Sequence, residues 1–515
     1  MLLMGNTEAF FGHFHGNFEA LTFDDVSLAP NRSSVVPRDV SLETFLTPEV
    51  PLHIPLLSAD MDTVTEPALA IEMAKQGGMG FLWKHPDSDV QKSWVHTVKY
   101  ECNGMVRKPI TIYEHQTVDE AQRILDSFEN RFSTLVVVNN CGMITGLLTG
   151  DKMQFAEPGD VVGDFMVKNP ITTDKLMDDK EAYKFMEEKR VPKLIVVSAK
   201  QEPIGMFCYP EVRDNVMGLT SLYNRDNRGS LRVGANVGVF TKGDKKSEEE
   251  FERRVSGLLE AECDVLLVGT AHGDSDNVLG SVRRLKELKG KYNFGIVAGN
   301  VATYSGAIDL FDAGADTVKV GIGAGAICTT RVKTGVGIPQ LSAVYDAVTA
   351  AKGFNGRVIS DGGIRDSGDI VKALAVGANS VMVGGLLAAA NESAGEIVIS
   401  PSGERRKRYR GMGSLSAMVE NSGAERYGQK GAEKLVPEGV DSVTYIEGPA
   451  AGILFRLMGG LRSGMGYNGA RTLGDLRAGA TFVKVTSAGD REAHPHDVTV
   501  VPDTINYSGR SGGKQ

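Results

Sequence analysis

Short aliphatic runs that end in glycine or a polar residue recur along the chain. They are Pro55–Ala59, Gly80–Trp83, Leu231–Ala235, Asp264–Val268, Phe294–Ala298, Thr317–Val320, Arg357–Ser360 and Ser380–Val383. Four to five residues is strand length, and the runs lack the polar alternation of a half-solvated strand, so buried parallel strands are predicted. A helix-compatible stretch follows each run. Eight such units predict an α/β fold, a (β/α)8 TIM barrel, with the functional loops at the carboxyl ends of the strands. A doubly wound open sheet would give the same local pattern.

The spacing is regular except once. Roughly 145 residues separate the second run from the third, far more than a barrel helix and its loops need, so a separate unit is predicted there. Two stretches inside it look alike. Lys108-Pro-Ile-Thr-Ile112, Thr117-Val-Asp-Glu-Ala121 and Leu135–Val138 are echoed by Asn169-Pro-Ile-Thr-Thr173, Glu181-Ala182 and Leu194–Val197. The predicted organisation is barrel over 1–94, insert over 95–215, and barrel with the catalytic loops over 216–515.

Composition narrows the function. A net charge of -9 with 42% hydrophobic residues describes a chain with ample core and no surface built to neutralise a phosphate backbone, so nucleic acid is not expected as a partner. The basic run Arg405–Arg410 is the local exception and reads as a solvated turn between two elements. Five cysteines at irregular spacing, with no Cys-x-x-Cys pair, fit a reducing compartment. The N-terminus lacks the pattern of a signal peptide, and no apolar run approaches the ~20 residues of a membrane span. A soluble cytoplasmic protein is expected.

The chemistry is expected at Cys328. It lies in Gly321-Ile-Gly-Ala-Gly-Ala-Ile-Cys-Thr-Thr330-Arg331, directly after the sixth run and therefore on the catalytic face of a barrel. Closely spaced glycines let backbone groups approach a ligand and present the thiol rather than pack it. A thiol titrating near ~8.5 needs little help to become a thiolate, which is a good nucleophile and a tolerable leaving group. A packed, inert cysteine is the ordinary alternative.

This loop resembles the catalytic cysteine loop of the family that contains inosine monophosphate (IMP) dehydrogenase and guanosine monophosphate (GMP) reductase. The similarity continues in order through Leu21-Thr-Phe-Asp-Asp25-Val, Met61-Asp-Thr-Val-Thr-Glu66, Ser360-Asp-Gly-Gly-Ile-Arg365, Tyr409-Arg-Gly-Met-Gly413, Gly459-Gly-Leu-Arg-Ser-Gly-Met-Gly466 and His494-Pro-His-Asp497. The insert resembles a tandem pair of cystathionine-β-synthase-type (CBS) domains, implying an adenine or guanine nucleotide as ligand; a stabilising insert with no ligand is the alternative. Its ending, Gly205-Met-Phe-Cys-Tyr209, departs from the usual pattern.

The resemblance implies that Cys328 attacks C2 of the IMP purine and that hydride passes to NAD, giving xanthosine monophosphate (XMP). Thr330 would relay a proton. Ser58 and Met61 belong to the implied substrate site, with phosphate held by Gly362, Gly363, Gly384 and Gly385 beside the Tyr409 hydroxyl. Asp361 would accept from the ribose hydroxyls, Met412 and Gly413 would meet the base, and Glu438 would take its N1–H. The implied cofactor set is Gly269, Thr270, Ala271, Asn300, Gly321 and Gly323. Arg426 and Tyr427 resemble the flap pair that activates water for hydrolysis in the dehydrogenase, which GMP reductase does not need. Carbonyls of Gly323, Gly325 and Cys328, completed by Glu492, Ala493 and His494 of a neighbouring subunit, would hold a monovalent cation, for which carbonyl oxygens suit potassium. A homotetramer is implied, with an octamer through the insert as the alternative.

Three positions depart from the family pattern. Gly269 stands in place of an aspartate for the nicotinamide ribose, a contact worth roughly 1.5 to 3 kcal/mol. Ala326 replaces a serine that meets the phosphate, and Trp83 replaces a histidine. The aspartate restored at position 269 is expected to lower the KM for NAD by about 10- to 100-fold, unless Asp274 or Asp276 has taken over its role. Beside IMP dehydrogenase stand two alternatives: an NADPH-dependent GMP reductase, toward which Glu392–Glu396 and Gly384-Gly385 lean, and a non-catalytic nucleotide sensor.

Overall fold

The computed structural model describes residues 7–16, 19–101, 104–107, 109–126, 134–157, 159–400, 403–420 and 423–498; Cys102 and Lys108 lie outside them. Each of the eight predicted runs overlaps a strand: β1 Leu56–Ser58, β2 Met79–Leu82, β3 Gly234–Asn236, β4 Val265–Gly269, β5 Gly295–Val301, β6 Thr317–Val320, β7 Arg357–Asp361 and β8 Ser380–Val383. They pair in parallel and in order, and β8 returns to β1 with Val381 opposite Leu56 and Val383 opposite Ser58. The sheet is therefore a closed barrel, and the open-sheet alternative is excluded. Closure explains the unbroken apolar runs, because both faces of every strand are dry. Leu57, Phe81, Val265, Leu267, Val297, Ile359 and Met382 fill the interior. Leu56, Leu82, Leu266, Val268, Ile296, Val318 and Val381 pack outward, in the main core.

A hairpin of Thr44–Thr47 and Val50–Leu52 adds Leu46, Val50 and Leu52 to the interior cluster and stops the barrel at the amino ends of its strands. The site must then open at the other end. β3 begins later than its run, because Leu231 bridges to Arg225 and the Arg232 amide donates to the Asn224 carbonyl before the chain enters the barrel.

The insert holds two four-stranded sheets. One orders Val167–Lys168, Ile144–Thr149, Thr134–Val138 and Thr111–Tyr113; the other orders Thr172–Thr173, Lys193–Val197, Pro203–Cys208 and Met105–Arg107. Val136, Val138, Leu147, Ile195, Val197 and Met206 form a shared core between them. Helix Ser88–Tyr100 runs across position 95 with Val95 and Val98 in the barrel core, so barrel packing continues to Tyr100.

The basic run is not a solvated turn. Arg405–Arg410 is the middle strand of a sheet between Ile397–Ile399 and Asp441–Tyr445. Strand alternation buries Lys407 and Tyr409, and Arg410, at the end of the strand, is buried as well. Carbonyls of Asn391 and Ser393 take the Lys407 ammonium, and Asp62 takes two Arg410 nitrogens at 2.6 and 2.9 Å. Among the described residues no helix is long and apolar enough to cross a membrane.

Candidate active site

The cysteine loop leaves β6 at Gly321. With φ at +146° and an added Cβ 2.0 Å from the Asp361 carbonyl oxygen, this position admits only glycine, and the loop is pressed against the end of β7. Beyond it the chain is stitched to two distant segments. Thr329 donates its amide to the Glu438 carbonyl at 2.8 Å, Val440 donates to Ile327 at 3.1 Å, and Glu438 donates to Gly413 at 2.8 Å. Cys328 is half-buried at the head of this seam, and its thiol donates to Thr330 Oγ1 at 3.2 Å. Tyr427 hydrogen-bonds the same threonine. Burial, then its neighbours Cys328 and Glu438, push its phenol up to about 12 against the pull of Arg426 and Thr330. Its ring lies on Gly413, where a Cβ would come 2.6 Å from Cζ. Cysteine, threonine and tyrosine thus form one hydrogen-bonded row.

Behind the row lies a buried charge network. Arg426 Nη1 is 2.7 Å from Asp60 Oδ2 and 3.1 Å from the Asp60 carbonyl. Asn236 Nδ2 donates to the same carboxylate oxygen at 2.6 Å. Lys319, fully buried in mid-strand, sits 3.6 Å from Asp60 and 2.6 Å from Asp361, which also accepts from Asn300 at 2.8 Å. Two cations face two carboxylates, the balance a dry site needs. Burial pushes the Asp60 carboxyl up, but the charges of Arg426 and Lys319 and the hydrogen bonds from Asn236 and Arg426 hold it below the usual carboxylate range. Burial likewise pulls Arg426 down, and Asp60, Tyr427 and Asp361 outweigh it. Arg426 is a cation here.

The sequence-derived substrate residues converge from separate loops. Cβ positions at Gly384 and Gly385 lie 3.2 and 3.5 Å from the Tyr409 hydroxyl, with Met61 Sδ also 3.2 Å from the first. A Cβ at Gly362 would meet the Gly325 amide at 3.2 Å, and Gly363 follows in the same turn. This is a cradle that larger residues would fill. Burial, then the Asp361 charge, raise the Tyr409 phenol, so the hydroxyl stays a donor. Ser58 is different: it is fully buried, and its hydroxyl accepts from Thr65 at 2.9 Å.

Gly269, Thr270, Met412, Asn236, Asp60 and Arg426 line one small cavity. Ala271 donates its amide to the Arg426 carbonyl at 3.1 Å, and the Asn300 side chain donates to the Gly321 carbonyl at 2.8 Å. Gly323 and Gly325 lie in the cysteine loop, where the Gly325 carbonyl accepts from the Cys328 amide. Glu492 ends the short helix Ser487–Glu492, beyond the Phe482–Lys484 strand, and Ala493 and His494 follow it.

Sequence reasoning missed Asp60, Lys319 and Asn236. Each had a signal: Lys319 is a lone charge in an otherwise apolar strand, and Asp60 and Asn236 close the first and third runs on the catalytic side.

Residues 20–496 match the IMP dehydrogenase / GMP reductase domain. The inosine-5'-monophosphate dehydrogenases of Aquifex aeolicus and Bacillus subtilis are each 42% identical over 496 residues, covering 95% of this chain and 98% of theirs. A crystal structure of GMP reductase from Trypanosoma brucei with guanosine 5'-monophosphate superposes with a TM-score of 0.82 at 34% identity, over 93% of this chain and 98% of that one. With the cysteine loop, the closed barrel and these full-length relatives in agreement, the chain belongs to the IMP dehydrogenase / GMP reductase family.

Proposed function

We propose that this protein is an NAD-dependent IMP dehydrogenase that converts IMP to XMP through a covalent Cys328 intermediate. The observation that carries the reading is the row of Cys328, Thr330 and Tyr427 with Arg426 behind it, which sets a water-handling pair beside a nucleophile. Cys328 sulfur adds to C2 of the purine, forming a C–S bond as the C2=N3 π pair moves to N3, which takes the thiol proton through Thr330. C2 then gives up its hydrogen with both electrons, leaving a thioimidate. Gly269, Thr270 and Ala271 at the β4 end, with Asn300, Gly321 and Gly323, would hold NAD, which would supply the hydride acceptor.

Water next adds at C2, and the C–S bond breaks with its electrons returning to sulfur as XMP forms. In the Asp60 pair Arg426 is protonated, so it orients water until that contact loosens and only then accepts the water's proton. Gly362, Gly363, Gly384, Gly385 and Tyr409 hold the phosphate, Asp361 the ribose, and Met412, Gly413 and Glu438 the base. Glycine-loop carbonyls at Gly323, Gly325 and Cys328, with Glu492, Ala493 and His494 of a second subunit, would hold potassium; the carbonyl-rich loop fits a weakly hydrated cation. A homo-oligomer follows from that shared ion, and the family resemblance makes it a homotetramer, or an octamer through the insert. The paired sheets of the insert support a tandem CBS module that takes an adenine or guanine nucleotide, and the irregular cysteines support a cytoplasmic setting.

The likeness to GMP reductase keeps one second reading in view, reductive deamination of GMP with NADPH. Absorbance at 340 nm separates the two: a rise with IMP and NAD supports the dehydrogenase, a fall with GMP and NADPH the reductase, and no change in either a sensor. In Arg426→Ala, a burst of NADH should precede a steady rate at least ~100-fold slower, since only hydrolysis needs the arginine. A burst lost in proportion would remove Arg426 from that step.

A further inference from the structure

Glu425, immediately before Arg426, turns away from Asp60 toward the exit of β2. Both of its carboxylate oxygens lie 2.6 Å from Lys84 Nζ. The pair is nearly dry, with 9% and 17% of the two side chains exposed. Gly238 makes the space: at φ +72° an added Cβ would lie 2.7 Å from Lys84 Cδ and 2.8 Å from Glu425 Oε1. Arg254, Glu250 and Lys430 surround the pair, and Lys430 stands 3.3 Å from Glu425. Consecutive residues of the short helix Gly423–Arg426 are thus tied to two different strand ends, Glu425 to β2 and Arg426 to β1. A fully engaged, buried ion pair recovers little net stability over apolar packing, but it fixes geometry, because moving either partner strands a charge.

We infer that Lys84 and Glu425 form a latch that seats Arg426 and Tyr427 beside Cys328 for the hydrolytic step, a positioning role that rests on the function proposed above. Hydride transfer needs the nucleophile and the β4 end; the helix borders that end, through the Ala271 amide on the Arg426 carbonyl and a shared cavity at Gly269 and Thr270, but contributes no group to the transfer itself. Hydrolysis needs all three. The latch therefore sets the second step while leaving the first alone, a split that general destabilisation of the barrel would not produce.

The test is rapid-mixing kinetics of the full-length protein with IMP and NAD, on Lys84→Met, Glu425→Gln, the double variant and Lys84→Arg. The NADH burst should stay within about twofold of the parent in all four, with steady turnover roughly 10- to 100-fold slower in both single neutral variants, the scale of a displaced catalytic group. The double variant should be no worse than either single one, since both remove the same contact. Lys84→Arg, which keeps the charge, should restore most of the slow phase. Burst and steady rate falling together, or a steady rate that does not fall, would overturn the latch. Arg426→Ala in the same experiment separates the two ideas. If it stalls hydrolysis and the neutral variants do not, only the latch fails; if it leaves hydrolysis intact, the assignment of Arg426 fails and the latch with it.

Discussion

At the scale of single residues, the site depends on which atoms reach Cys328. Cys328→Ala should abolish NADH formation while IMP still binds, because the phosphate cradle and Asp361 are untouched; equilibrium binding of IMP beside a 340 nm assay checks this. A purine nucleotide carrying a leaving group at C2 should label Cys328 and leave Cys263, which is buried with its thiol pushed up to about 12, unmodified. Gly269 tells a subtler story. The family pattern leads one to expect that an aspartate there would strengthen NAD binding. In this structure a Cβ at 269 would sit 2.7 Å from Asn236 Nδ2 and 3.1 Å from Asp60 Oδ2. An added carboxylate would crowd the amide that holds Asp60 and place like charges together. Gly269→Asp should therefore leave the KM for NAD unchanged or higher and slow turnover about tenfold or more, through the disturbed Arg426 pair. A KM lowered tenfold would show that the neighbouring side chains make room.

Whole elements are held by contacts that no local pattern announces. Helix Thr7–Gly16 packs Phe11, fully buried, at 4.4 Å and 13° against the Tyr345 ring on the barrel surface. Phe11→Ala should cost about 3–5 kcal/mol of stability with turnover per folded molecule unchanged, read from a denaturant midpoint beside an activity assay. The helix bearing Arg426 depends instead on charge. The Lys84 and Lys430 ammoniums offset burial and hold the Glu425 carboxyl below its ordinary value of 4.5. A depressed carboxyl contributes stability that is complete above its unfolded pKa and is lost as pH falls through the lower folded one. Hydrolysis should accordingly keep its dependence on this pair from neutral pH down to about 5, with the gap between Glu425→Gln and parent closing only in stronger acid.

For the molecule as a whole, the insert enters and leaves the barrel at one place. Lys99, on the last turn before it, reaches Asp226, just after it, at 3.0 Å and Asp264 at 2.6 Å. Replacing residues 102–216 by a short glycine-serine linker should therefore leave a folded barrel whose turnover with saturating IMP and NAD is within about threefold of the parent, since linkers of this kind close short spans at small entropic cost. Any response to added adenine or guanine nucleotide should vanish with the insert, as titration of both forms would show. Loss of the barrel's cooperative unfolding on excision would mean that the two sheets hold it up.

The sequence by itself determined the eight strands, the interruption between the second and third, and the position of Cys328. Strand burial is written in the residues: apolar runs such as Val265–Val268 and Ser380–Val383 have one low-energy setting, and the glycines after β6 admit one kind of loop. Tertiary structure decided that the sheet closes, that Arg405–Arg410 is a buried strand, and that Asp60, Asn236, Lys319 and Lys84 belong to the site. Closure and ion pairing join positions hundreds of residues apart, as Asp60 and Arg426 are. Such a charge shows its role only when the fold removes water from around it and brings its partners within reach.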